Sequence, residues 1–145
     1  MVHMVEIEME FDLTEEDHEL INSAIEAIRK GYKKDWHSIG AALRTSDGEV
    51  FTSIHFEANV GRIAVCAEPI ALAEAVMAGK DKFDTIVAVK HPKPEKGRMD
   101  FEVVSPCGMC REIVTDYDPE TKVIINVDGK LRKLLMMDLL PHKFK

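Results

Sequence analysis

Cysteine is scarce in this chain: three residues among 145. An odd, small number rules out a disulfide framework as the source of stability, and a chain this long buries an ordinary core without staples. No apolar run approaches the roughly 18–20 residues that a membrane-spanning helix needs. The opening MVHMVEIEMEF alternates apolar with acidic residues. It lacks the basic start and apolar stretch of a secretion signal, so a reducing, cytoplasmic setting is expected. Positive charge is also short, the net charge being −7, which disfavours binding to a nucleic acid polymer because such binding relies on neutralising phosphates. The basic clusters Lys90 to Arg98 and Lys130 to Lys133 read as solvated loop and turn surface. There is no internal repeat and no low-complexity linker. With 46% hydrophobic and 31% charged residues, one globular domain over residues 1–145 is expected.

What is present reads as alternating helices and strands. Residues 1–12 form an extension with period-2 alternation, either an edge strand or an arm on a partner subunit. Thr14 caps a helix with Glu15, Glu16 and Asp17 in its first turn, where acidic groups favour the dipole. Leu20, Ile21, Ala24, Ile25 and Ile28 recur at helical spacing, so the spacing predicts a helix over Thr14 to Lys30 that stops at Gly31. SIGAALRT and VFTSIHFE flank Asp47-Gly48, a hairpin signal. Ala67 to Ala78 has helix-forming composition and closes at Gly79. Pro69 is tolerable only in a first turn, which sets that helix's start near Cys66. DTIVAVKH reads as a buried strand, PKPEKGRMDFEV as a charged loop, and CGMCREIVTDY as a short helix beginning at Cys107. KVIINV and KLRKLL are joined only by Asp128-Gly129, so they are antiparallel neighbours. MMDLLPHKFK closes the chain as a short helix or turn. The order is α-β-β-α-β-α-β-β, one sheet with helices on both faces.

All three cysteines lie at helix mouths. Cys107 and Cys110 are spaced so that two sulfurs can meet one ion, and helix N-termini favour thiolates. Cys66 opens another helix. Three thiolates leave one vertex of a tetrahedral zinc site for water, the pattern of a catalytic rather than a closed structural site. Glu68, two residues after Cys66, can reach that vertex without ligating and can move protons there. The competing readings are a purely structural zinc and a thiol redox pair. Cys-Ala-Glu followed about 40 residues later by Pro-Cys-x-x-Cys is the spacing of the zinc deaminases, in their three-cysteine form.

On these residues the chain resembles the cytidine deaminase family, in its small, free-nucleoside branch. The resemblance runs from about Gly40 to Phe144 and includes GAALRTSDGEVF, CAE, SPCGMCRE, DLLPHKF and the terminal hairpin. It implies a three-layer α/β/α sandwich around a five-stranded mixed sheet. It also implies a homotetramer (or a dimer) whose sites are completed by neighbouring subunits. By the resemblance, Cys66, Cys107 and Cys110 are the Zn2+ ligands and Glu68 is the proton shuttle. The Ala67 N–H and the Cys107 carbonyl hold the base, and a cytidine-like nucleoside is the substrate, converted to the uridine type with release of ammonia.

Three departures from the family bear on substrate. The family's Asn-x-Glu, which grips the ribose, is here His55 and Glu57. A base-stacking phenylalanine corresponds to His37, beside Trp36. The arginine that usually follows the glutamate and bonds the thiolates is Pro69, which leaves Arg62 or Arg111 to supply the compensating charge. Phe144 is the residue that the resemblance brings near a neighbour's site. The departures leave open a blasticidin-S or other modified-nucleoside deaminase, and a catalytically silent zinc-containing homologue that binds a nucleoside or a protein.

Overall fold

A computed structural model describes residues 9–145. The alternation over residues 1–8 lies outside the described residues. The elements run β1 (Glu10–Phe11), α1 (Glu15–Gly31), β2 (Ile39–Thr45), β3 (Val50–Ile54), α2 (Ala67–Met77), β4 (Phe83–Lys90), β5 (Glu102–Val104), α3 (Gly108–Tyr117), β6 (Lys122–Val127) and β7 (Lys130–Leu135), with short 3-10 turns at Gly61–Ile63, Pro94–Lys96 and Met136–Leu139. The strands form one mixed sheet ordered β1-β7-β6-β4-β2-β3, and β5 also pairs with β4.

Among the described residues the sheet therefore has seven strands, not the five expected. One addition is β1, two residues long, which pairs antiparallel with β7 and is pinned by Arg132, whose Nε lies 2.8 Å from Glu10. The other is β5, inside the segment read as a loop. It is three residues long and pairs Ala88, Val89 and Lys90 with Val104, Val103 and Glu102. The parallel pairing of β4 with β6 covers only Thr85 and Ile86, so β5 takes up the edge of β4 where β6 has diverged. β5 is too short for its alternation to stand out in a sequence, whereas β1 lies within the 1–12 stretch expected as an edge strand or an arm.

α1 covers one face and α2 with α3 the other. Thr14 and Asp17 form a reciprocal capping box at the start of α1, and Leu20, Ala24 and Ile28 pack on Ala42, Val87, Val89 and Ile124. Burying each large aliphatic side chain contributes roughly 2 kcal/mol. On the opposite face Ala71, Leu72, Ala75 and Val114 meet Leu43, Ile86, Val123, Ile125 and Leu134. Gly40 is required where α1 crosses β2, since a Cβ there would lie 2.5 Å from the Ala24 carbonyl. The final hairpin turns at Asp128 and Gly129, both at positive φ, which is the geometry of a two-residue turn matched to strand twist.

The strand predicted over VFTSIHFE ends early, at Ile54. His55 and the residues after it leave the ladder, with a single bridge from Phe56 to Val65. That departure carries the chain across the open end of the sheet to Cys66.

Candidate active site

Two helix N-termini converge at the cysteines. Cys66 is the N-cap of α2 and Cys107 the N-cap of α3, with Cys110 in the first turn. The first-turn N–H groups have no intrahelical acceptors, so both positive ends face the sulfurs. Ser53 in β3 donates to the Ala67 carbonyl at 2.5 Å, tying the α2 start to the sheet. Pro69 is the third residue of α2, where its missing N–H removes no helical bond.

The Cys66 and Cys107 sulfurs are 3.6 Å apart, those of Cys107 and Cys110 3.4 Å, and all three lie within 4.8 Å of one another. Tetrahedral zinc–sulfur bonds of about 2.3 Å place sulfurs roughly 3.8 Å apart, so the trio fits one zinc with little movement. Burial, the bond shared with Cys107 and the Glu68 charge push the Cys66 thiol up. Cys110 is raised by burial and then by the Glu68 charge. Burial also opposes the Cys107 thiolate, but the N–H groups of Cys110 and Met109 and the neighbouring thiols outweigh it, lowering its pKa. Three such groups ionise together when a divalent cation sits among them.

Glu68 is buried, 6% exposed. Burial raises its carboxyl, against the opposing effects of its own backbone N–H and the Cys110 thiol. Its side chain lines a cavity of about 250 Å3 together with Ile39, His55, Val104, Ser105 and Cys107. Ile39, Val104 and Ser105 were not singled out in the sequence. The first two lack a chemical signature, and Ser105 was legible only as part of SPCGMCRE.

The remaining predicted residues fall into two groups. His55, Glu57 and His37 come together. The N–H groups of Ser38 and Ile39 point at His55 Nδ1, at 3.4 and 3.2 Å, so Nδ1 accepts and Nε2 carries the proton. Nε2 is 3.8 Å from Glu57. The His37 ring meets His55 edge-on at 5.8 Å, and its pKa is lowered by burial, His55 and Lys33. Trp36 stands aside, under the Lys33 ammonium. Ala67 is fully buried, and the Cys107 carbonyl accepts the Arg111 N–H at 3.1 Å, which leaves its second lone pair free. Phe144 is 86% exposed and does not line the cavity.

Neither arginine bonds a sulfur. Arg62 is exposed in the 3-10 turn ahead of Cys66. Arg111 donates to the carbonyls of Pro106 and Leu139, both at 2.9 Å. It thereby clamps the loop entering Cys107 to the chain's last turn. Lys143 adds a second clamp on α3, at 2.5 Å from Glu112 and 2.6 Å from Asp116.

A sheet between helix layers, three thiols at two helix mouths and a buried carboxylate opening on the same cavity define a zinc-dependent hydrolytic deaminase. The family model described as the cytidine and deoxycytidylate deaminase zinc-binding region matches residues 14–126. The chain belongs to that family. It is 46% identical over 134 residues to the blasticidin-S deaminase of Bacillus cereus, covering 92% of this chain and 96% of that one. It is 31% identical over 128 residues to the cytidine deaminase of Halalkalibacterium halodurans, covering 86% and 91%. Among solved structures, the cytidine deaminase of Burkholderia pseudomallei superposes with a TM-score of 0.70 at 32% identity, over 91% of this chain and all of the other. The cofactor is zinc.

Proposed function

We propose that Cys66, Cys107 and Cys110 hold the zinc and that Glu68 is the proton carrier for hydrolysis at C4 of a cytosine-type ring. Zinc, when bound, supplies the Lewis acidity that makes water a nucleophile near neutral pH. Glu68 takes a proton from the attacking water, delivers it to ring N3, and returns the next to the departing amine. Water's oxygen becomes the new carbonyl and ammonia leaves. The Ala67 N–H and the Cys107 carbonyl orient the base, and His37 closes on its face. His55 offers Nε2–H as a donor and Glu57 an acceptor, a pair suited to a hydroxyl-bearing sugar. The observation that carries this reading is Glu68 itself, buried and sharing a cavity with two of the thiols, since a purely structural metal site has no use for such a carboxylate.

Within that class we favour blasticidin S or a related modified cytosine nucleoside over cytidine. Greater identity to the blasticidin-S deaminase than to the cytidine deaminase, 46% against 31%, supports this, as does an imidazole where cytidine deaminases carry an amide. The protein acts in the cytoplasm, in nucleoside turnover of the pyrimidine salvage type, as a homotetramer. Met109, Ile113 and Tyr117 on α3 are exposed at i, i+4 and i+8, an apolar stripe that supports self-association. Phe144 then reaches a neighbouring subunit's site. The test is ammonia release from cytidine, deoxycytidine, 5-substituted cytidines, adenosine, guanine and blasticidin S. A kcat/KM at least ten-fold higher on blasticidin S than on cytidine is expected. Zinc without turnover on any of them refutes the enzymatic reading.

A further inference from the structure

A second cavity, of about 220 Å3, is lined by Tyr32, Ser38, Lys90, Lys96 and Arg98, with Asp35, His91 and Lys93 completing its wall. Among the described residues, four cations and one carboxylate surround it in a chain of net charge −7, so its charge is opposite to that of the molecule. The single carboxylate is already engaged, Lys93 lying 3.1 Å from Asp35. Asp35 also feels Lys34 and Lys96, and its carboxyl lies below the ordinary value, first through the Lys93 bond.

Arg98 spends Nε on the His91 carbonyl, at 3.0 Å, which fixes the guanidinium while its terminal nitrogens make no hydrogen bond or ion pair among the described residues. Lys90, Lys96, the Ser38 hydroxyl and the Tyr32 hydroxyl are likewise without side-chain partners among the described residues. The floor is rigid: Tyr32 stacks on His91 with ring centroids 3.5 Å apart, and His91 meets Phe101 edge-on at 5.2 Å. The Lys93–Arg98 bridge closes the loop that carries the cations. A cavity with a fixed floor and donors left over takes a ligand that only accepts hydrogen bonds and carries negative charge.

We propose that this cavity is an anion site for a phosphate-type oxyanion, supplied either by free phosphate or by a phosphate ester. It is linked to the catalytic cavity at the entry to β2, since Ser38, the residue before that strand, lines one and Ile39, its first residue, lines the other. The N–H groups of both residues point at His55. Lys90 pairs with Ile39 in the ladder. An oxyanion seated on Ser38 therefore acts on the backbone that holds His55, and its effect on catalysis falls on KM.

Equilibrium dialysis of the zinc-loaded full chain against radiolabelled inorganic phosphate, at ionic strength fixed with sodium chloride, tests the site without reference to turnover. Saturable binding of one phosphate per chain is expected, weakened at least ten-fold in Lys96→Glu/Arg98→Glu and several-fold in the milder Arg98→Gln. Binding that is absent or non-saturable, or that both variants leave unchanged, overturns the proposal. A kinetic arm separates the two sources. If an ester is recognised, the KM for cytidine 5′-monophosphate lies below that for cytidine, and the double variant removes the advantage. If free phosphate is the ligand, added phosphate shifts the KM for cytidine and the monophosphate has no advantage.

Discussion

In the proposed mechanism Glu68 moves protons and His55 grips the sugar. Glu68→Gln keeps the side chain's size and hydrogen-bonding reach but cannot take a proton. It is expected to retain one zinc per chain by metal analysis and to lose 10²-fold or more in kcat for ammonia release, within the range of general acid–base contributions. His55 is presented with Nε2 as donor because two backbone amides occupy Nδ1. His55→Phe removes that donor and is expected to raise KM about ten-fold with a smaller change in kcat, while His55→Asn recovers part of the loss. An equal fall in kcat and kcat/KM would contradict a binding role. At this scale the sequence was informative where chemistry needs a particular atom: Cys66, Glu68, Cys107 and Cys110 are brought together as their spacing implied. The cavity's apolar walls were not legible, because Ile39 and Val104 differ in no way from core residues until the strands are placed. Of the two arginines offered as compensating charge, Arg62 is exposed and Arg111 donates to two carbonyls, contacts that no spacing in the sequence announces.

Two elements are fastened by charge. Asp17, fully buried at the start of α1, is 2.7 Å from Arg44 of β2 and 2.8 Å from Lys133 of β7. Burial alone would raise its carboxyl, but Arg44, Lys133 and the Thr14 N–H outweigh it and hold the pKa at about 2. A folded pKa below the unfolded one contributes stability above the unfolded value that is lost as pH falls through the folded one. The contribution, about 2 kcal/mol, is thus present above pH ~4 and disappears toward pH ~2. Asp17→Ala leaves Lys133 buried without its partner and is expected to cost about 3–5 kcal/mol, read as a fall in the urea midpoint. It should also flatten the acid limb of the stability profile. The cap was legible in the sequence, since Thr14 and three acidic residues announce it. The cross-sheet partners were not, because Arg44 and Lys133 become neighbours of Asp17 only once β2 and β7 lie across the sheet from each other. At the other helix, Arg111→Ala frees the loop entering Cys107 from the C-terminal turn. Zinc affinity, measured by chelator competition, is expected to fall about ten-fold, with far-ultraviolet circular dichroism unchanged. Unaltered affinity would remove the clamp from the account.

For the whole molecule, α1 stabilises the sheet from one side while α2 and α3 present their N-termini together on the other, and the cavity opens where β3 and β5 end. The layering and the antiparallel end hairpin were legible from element order and the Asp128-Gly129 turn. Of the two extra strands, β1 falls in the stretch read as an edge strand or an arm, whereas β5 was not legible, because it gains its identity from β4 rather than from its own pattern. The apolar stripe on α3 predicts association: light scattering is expected to give a tetramer, and Ile113→Glu with Tyr117→Lys smaller species. A wild-type monomer would contradict it. The central claim is one zinc held by three sulfurs of a single chain with one vertex open to water. X-ray absorption at the zinc edge of the purified protein tests it most directly. Three sulfur neighbours at about 2.3 Å and one oxygen at about 2.0–2.2 Å are predicted, whereas a fourth sulfur, a histidine nitrogen filling the vertex, or protein without zinc would contradict it.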